Sequence, residues 1–263
     1  MRGLFLSFFL FTGAATAWAA GPGFQDTIAQ RTLACTSCHG KEGRAGPDGY
    51  YPRIAGKPAG YLYNQLLNFR DGRRHYGLMT RLMDPLSDAY LLETLSDPYL
   101  GEIAEHFAAL DLPYPAPQAA TAPAEVLARG RDIALQGDPE RRVPACASCH
   151  GKALTGVIPS FPGLLGLPRD YLNAQLGAWR TGQRRALAPD CMAEIARRLA
   201  PEDLSAVTAW LAAEPLPANP KPVSAEAPVV TRAKGRRVQP PAAPEPPPMR
   251  CGAAQLPGHG ASR

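Results

Sequence analysis

Cys35-Thr36-Ser37-Cys38-His39 and Cys146-Ala147-Ser148-Cys149-His150 are two copies of one pattern, Cys-x-x-Cys-His, in a chain of 263 residues. Cysteines three positions apart can present both sulfurs from one tight turn to the two vinyl groups of a porphyrin. The next residue, His39 or His150, then lies under the iron as its proximal ligand. Each copy reads as a covalent attachment point for c-type haem. A zinc knuckle or a thioredoxin-like pair is the plainer alternative. Neither fits as well: a second Cys/His pair to complete a zinc tetrahedron is missing, and the adjacent histidine is more specific than the bare pair. Two motifs imply two haem c groups, attached through Cys35, Cys38, Cys146 and Cys149.

Residues 1–19 read as a secretory signal: Arg2 supplies the positive start, Leu4 to Phe11 the apolar core, and Ala17-Trp18-Ala19 a small-x-small cleavage site. The apolar run is too short for a comfortable membrane span. Export to the periplasm agrees with haem attachment, which belongs outside the bacterial cytoplasm. Of six cysteines, four belong to the motifs, leaving Cys191 and Cys251.

The formal charge of +5 misdescribes the folded part. Residues 20–118 hold nine basic and eleven acidic side chains, and residues 119–213 hold eleven and nine, so the two segments cancel. Neither carries the concentrated basic face that nucleic-acid binding needs.

Working outward from the motifs, a shift of 110 residues aligns Pro52 with Pro162, Gly56 with Gly166 and Pro58 with Pro168. It also aligns Tyr61-Leu62 with Tyr171-Leu172, Gln65-Leu66 with Gln175-Leu176, Phe69-Arg70 with Trp179-Arg180, and Gly72 with Gly182. The haem motifs themselves align at 111. The chain is a tandem duplication: residues 20–111 and 124–213 are two domains, and the Pro/Ala segment 112–123 links them. Units of ~95 residues are small for a self-sufficient apolar core, and a buried porphyrin makes up part of the shortfall. Helical spacing predicts leading helices over Phe24–Leu33 and Ala124–Gln136, and middle helices over Tyr61–Phe69 and Tyr171–Trp179. Closing helices are expected over Leu100–Leu110 and Pro201–Ala213, and strand-like alternation is nearly absent. The fold class is all-α. Residues 214–263 contain twelve prolines and are expected to stay extended or disordered. Their basic cluster, Arg232, Lys234, Arg236 and Arg237, reads first as solubilising and second as a contact for anionic lipid or an acidic redox partner.

The sixth iron ligands separate carrier from enzyme, because a thioether closes the iron and raises its potential. Met192 is the sole methionine of the second unit's folded part and stands seven residues before Leu199. Met79 stands seven before Leu86, so Met79 and Met192 are the favoured pair. Met83 is the rival, one turn away. A short internal echo, Leu86-Ser87-Asp88 against Leu95-Ser96-Asp97, marks a nine-residue insertion after the ligand loop. His75 and His106 are further ligand candidates in principle; His75 reads as a surface residue beside Arg73 and Arg74, and His106 as a packed or partly exposed one.

These features resemble the diheme cytochromes c of the cytochrome c4 type, two class I cytochrome c domains in one chain. The likeness rests on both Cys-x-x-Cys-His-Gly stretches, Pro52-x-x-x-Gly56, Tyr61-Leu62-x-x-Gln65-Leu66, Phe69-Arg70-x-Gly72 and Leu95-Ser96-Asp97, and covers roughly residues 24–213. The resemblance implies His/Met ligation at both irons, by His39 with Met79 and by His150 with Met192. It also implies electron transfer from a dehydrogenase or respiratory donor to an acceptor such as a terminal oxidase, with redox proteins as partners and no catalytic residue. The insertion, the long tail and Cys191 depart from the pattern. Cys191 keeps a second function class in view, a thiosulfate dehydrogenase-like haem enzyme using a thiolate. Its plainer roles are a buried small residue or a disulfide with Cys251.

Overall fold

The structure, a computed structural model, describes residues 26–46, 48–83, 96–225 and 249–258. The signal segment, the echo at 86–94 and the basic cluster at 232–237 lie outside those residues.

Thr27 caps the first helix, α1 (Ile28–Arg31), by accepting from the Gln30 N–H at 3.3 Å. The expected leading helix breaks at Thr32. Its buried hydroxyl donates to the carbonyls of Ile28 (2.9 Å) and Ala29 (3.1 Å), and the chain restarts as α2 (Leu33–His39), which carries the first motif. After a short 3-10 turn come α3 (Ala59–Arg70), α4 (Gly77–Met83) and α5 (Asp97–Ala109), the last with proline in its first turn. Leu62, Leu67 and Phe69 of α3 pack with Leu100, Ile103 and Phe107 of α5 as the first core.

The second half repeats this plan with α6 (Ala124–Gln136), α7 (Ala147–His150), α8 (Arg169–Thr181), α9 (Cys191–Arg198) and α10 (Pro201–Ala213). Its core gathers Ile133, Leu172, Leu199, Val207, Trp210 and Leu211. Helices α6 and α10 cross so closely at Gly130 that a Cβ there would run into the Ala206 carbonyl. Asp203 locks the same crossing, accepting from Arg129 Nε at 2.8 Å and Arg141 Nη1 at 2.6 Å.

A small sheet joins the helices. β1 (Gly156–Ile158) pairs antiparallel with β2 (Phe161–Pro162), in register Gly156 with Pro162, and parallel with β3 (Val223–Ser224). Strands of two or three residues are too short to leave an alternation in sequence.

The two Pro-rich segments are tied down rather than loose. Buried Arg53 donates to the carbonyls of Leu112 (2.5 Å) and Pro113 (2.8 Å), and its guanidinium lies 4.0 Å over the Tyr114 ring. Gln118 N–H donates to Ala212 O at 2.9 Å. Beyond residue 213, β3 belongs to the second half's sheet, and residues 249–258 run back across both halves. The two described stretches of the tail, expected to be extended or disordered, are thus held in place. One end is captured by backbone pairing, the other by Cys251 and Asn64.

Candidate functional site

One continuous cavity of about 1290 Å³ runs between the halves, and both motifs open onto it. Cys35, Cys38 and His39 line it from α2; Cys146, Cys149 and His150 line it from the turn into α7 and from α7 itself. None of these four cysteines is in a disulfide. Met79, Met83 and Met192 line the same cavity, so the structure brings the favoured thioethers and the rival together.

Each motif histidine is held the same way. His39 Nδ1 lies 2.8 Å from Pro52 O and His150 Nδ1 lies 2.7 Å from Pro162 O. A carbonyl only accepts, so Nδ1 carries the proton and Nε2 keeps its lone pair for a metal. Burial holds both imidazoles below the usual histidine range and so neutral. Burial also pushes the Cys146 thiol up to about 11 and raises Cys35 and Cys149. The repeat aligned Pro52 with Pro162, but the prolines' carbonyls, which do the anchoring, are not legible as side-chain chemistry. Tyr51 and Phe161 turn their ring edges to the two imidazoles at 6.3 Å between centroids.

Between the two motifs lies a reciprocal bridge. Arg74 donates to Gln65 Oε1 (2.8 Å) in its own half and to Gln175 Oε1 (2.6 Å) in the other. Arg184 donates to Gln175 Oε1 (2.7 Å) and across to Gln65 Oε1 (2.9 Å). Their backbones join too, His75 N–H to Gln183 O at 2.9 Å and Arg185 N–H to Arg73 O at 2.7 Å. Both arginines are buried, at 8% and 4% exposure, yet among the described residues neither has a carboxylate partner. Two buried cations without counter-ions call for anions inside the cavity. Paired cysteines outside any disulfide, neutral histidines with Nε2 available, thioethers, apolar walls and guanidiniums without a carboxylate partner together form the donor set that a porphyrin bearing two propionates requires. Among the described residues no group of three or more His, Cys, Asp or Glu converges as a metal cluster, as a zinc knuckle would need. The arginine pair went unread in the sequence, although it keeps the 110-residue offset of the repeat.

Two histidines set aside in the sequence stay aside. His75 is exposed at the rim of the cavity, and half-buried His106 stands edge-on to Phe107 at 5.1 Å. Cys191, the residue that kept the thiolate reading open, is bonded to Cys251.

Lys57 has no counterpart in the repeat, where position 167 is leucine. From the first half its Nζ donates to Gly163 O of the second at 2.8 Å. Burial, helped by Arg53, pushes its pKa down to about 7 from 10.5. Between those values the unfolded chain holds a proton that the folded chain has released, so stability rises with pH across that window. Replacing Lys57 with Met is expected to remove that rise, at most roughly 5 kcal/mol between pH 7 and 10.5. Denaturant titrations of parent and variant at both ends of the window measure the difference.

No family model matches the sequence. The chain is 36% identical over 210 residues to the thiosulfate dehydrogenase electron acceptor of Thiomonas intermedia, covering 79% of this chain and 87% of that protein. It is 31% identical over 199 residues to cytochrome c4 of Thiocapsa roseopersicina, covering 73% and 95%. Among solved structures, reduced cytochrome c4 from Pseudomonas stutzeri superimposes with a TM-score of 0.58 at 25% identity, covering 71% of this chain and 96% of that one. Thiosulfate dehydrogenase from Marichromatium purpuratum superimposes with a TM-score of 0.57 at 34% identity over 69% of this chain, which spans only 36% of that longer one.

Proposed function

Because the chain belongs to the cytochrome c4 family, electron-transfer proteins with two haem c groups, we propose that it works in the periplasm as the electron acceptor of a thiosulfate-oxidising dehydrogenase and passes electrons to a terminal acceptor such as a cytochrome oxidase. In this reading residues 20–111 and 124–213 are the two haem domains. Cys35 and Cys38 hold one haem and Cys146 and Cys149 the other, with His39 and His150 as proximal ligands and Met79 and Met192 as distal ligands. When bound, each haem supplies a one-electron iron couple.

The chain's own part is to hold that couple still. Pro52 and Pro162 fix the imidazole tautomers, and the two apolar cores keep water from the proximal sides. Arg74 and Arg184 supply positive charge where the two sites meet. The observation that carries the reading is a complete Cys/Cys/His/Met set in each half, opening on one shared cavity. An enzyme built on a thiolate would draw on Cys191, whose sulfur is engaged by Cys251; this favours the carrier.

The test is reduction by a partner. With thiosulfate and a trace of thiosulfate dehydrogenase, the oxidised protein should take up two electrons per chain, one at each haem. It should stay oxidised with thiosulfate alone. Reduction by thiosulfate in the absence of the dehydrogenase would establish the enzyme instead.

A further inference from the structure

Met192 is the second residue of α9, and the residue before it is tied to the far end of the chain. Cys191 is buried and bonded to Cys251 across 60 residues of sequence. Next to the disulfide, Gly252 N–H donates to Pro189 O at 2.9 Å. The approach is so close that a Cβ on Gly252 would run into the carbonyls of Leu187 and Ala188. The loop leading to Met192 is thus gripped from two sides. On its own side Asp190 accepts from Ala186 N–H (2.7 Å) and Ala193 N–H (3.0 Å), while residues 250–252 close over it from the tail.

The tail continues to the other half. Ala254 exchanges two hydrogen bonds with the buried Asn64 of α3, its N–H to Oδ1 at 2.8 Å and its carbonyl from Nδ2 at 3.0 Å. Ala254 and Leu256 pack on the first core. Cys251, Gly252 and Ala253 line the cavity alongside Met192. Among the described residues the first half shows no such device: the residue before Met79 is Leu78, 56% exposed.

We infer that residues 249–256 form a strap that positions Met192 on the second haem, acting through the Cys191–Cys251 bond and anchored on the first half at Asn64. The inference rests on Met192 being the distal ligand. A local opening of this eight-residue helix would carry the Met192 thioether away from a haem bound in the cavity. A crosslink at the adjacent residue restricts that opening. The strap works on the second haem alone, so the two haems of one chain differ in how readily they exchange their distal ligand.

The test replaces both sulfurs, Cys191→Ser with Cys251→Ser in the full chain, so that no free thiol competes for the iron. The readouts are the far-red methionine-to-iron band and the rate of cyanide binding at each haem. The expected result is a weakened band at the second haem and cyanide binding there faster by about tenfold, the change when opening is eased by about 1.4 kcal/mol. The first haem should be unchanged. Unaltered rates at both haems, or equal changes at both, overturn the strap. If the double variant does not accumulate, Gly252→Ala keeps the disulfide and presses on the same loop; it should disturb the second haem selectively, and an unaltered second haem overturns the proposal. Met192→Ala separates the two levels. It must abolish the second haem's band by itself; if both bands survive, the ligand assignment fails and the strap proposal with it. If that band is lost but the serine variant behaves as the parent, the strap alone fails.

Discussion

Replacing Cys146 and Cys149 together with serine is expected to leave one covalent haem per chain and an unfolded second half. Without these two sulfurs the porphyrin has no covalent tether in the second half, and only coordination by His150 and Met192 would be left to hold it. Cys146 and Ala147 pack on a core that includes Ile133, Leu199 and Trp210, and His150 sits between this core and the cavity. Without the cofactor, these apolar walls face a water-filled space, in a unit already small for a self-supporting core. The first half keeps its own core of Leu62, Leu67, Phe69, Leu100 and Phe107, so its haem should remain attached. Mass spectrometry and haem absorbance per chain report the count, and far-ultraviolet dichroism reports the lost helix. Retention of two haems would disprove the attachment sites; loss of both would show that the halves fold as one unit.

Replacing Met79 with Ala is expected to lower the potential of one haem by a few tenths of a volt, inside the ~0.8 V that axial ligation spans. Its methionine-to-iron band should vanish while the other haem is unmoved. Replacing Met83 with Ala should do something different. Met83 is 4% exposed within the first core, so truncation leaves a void costing about 2–5 kcal/mol while the spectrum stays intact. Met79 is only partly buried and packs at the edge of that core. Both face the cavity, so spectrum and stability together separate ligand from filler. A spectral loss in the Met83 variant with none in the Met79 variant would reverse the assignment.

Much of this was legible because duplication prints each constraint twice. The Tyr-Leu-x-x-Gln-Leu repeats lie in α3 and α8, and the helices expected at Ala124–Gln136 and Pro201–Ala213 are α6 and α10 to the residue. Where the physics lies in the backbone, sequence says little. The carbonyls of Pro52 and Pro162 that orient the histidines have no side-chain signature, and β1 to β3 are too short to show a period. The break in the leading helix at Thr32 leaves no mark in propensity, and neither do the two bonds its hydroxyl makes to Ile28 and Ala29. The strap was legible only in part: the Cys191–Cys251 bond was among the expected roles of Cys191, while its anchor on the first half was not. Composition marks the tail as non-folding, yet one cysteine and one pair of bonds to Asn64 hold its far end. Lys57 went unread: the repeat pairs it with Leu167, and a break of that kind does not say that it reaches the Gly163 carbonyl.

The reciprocal bridge has a consequence for how such a chain could arise. Arg74 meets Gln175 as Arg184 meets Gln65, and His75 meets Gln183 as Arg185 meets Arg73. Each of these four contacts has its image under the 110-residue shift, which is the signature of an isologous interface between identical subunits. A single ancestral domain carrying these residues would have closed on a second copy as a homodimer. Tandem fusion through residues 112–123 would then have made that association permanent, freeing one half to diverge.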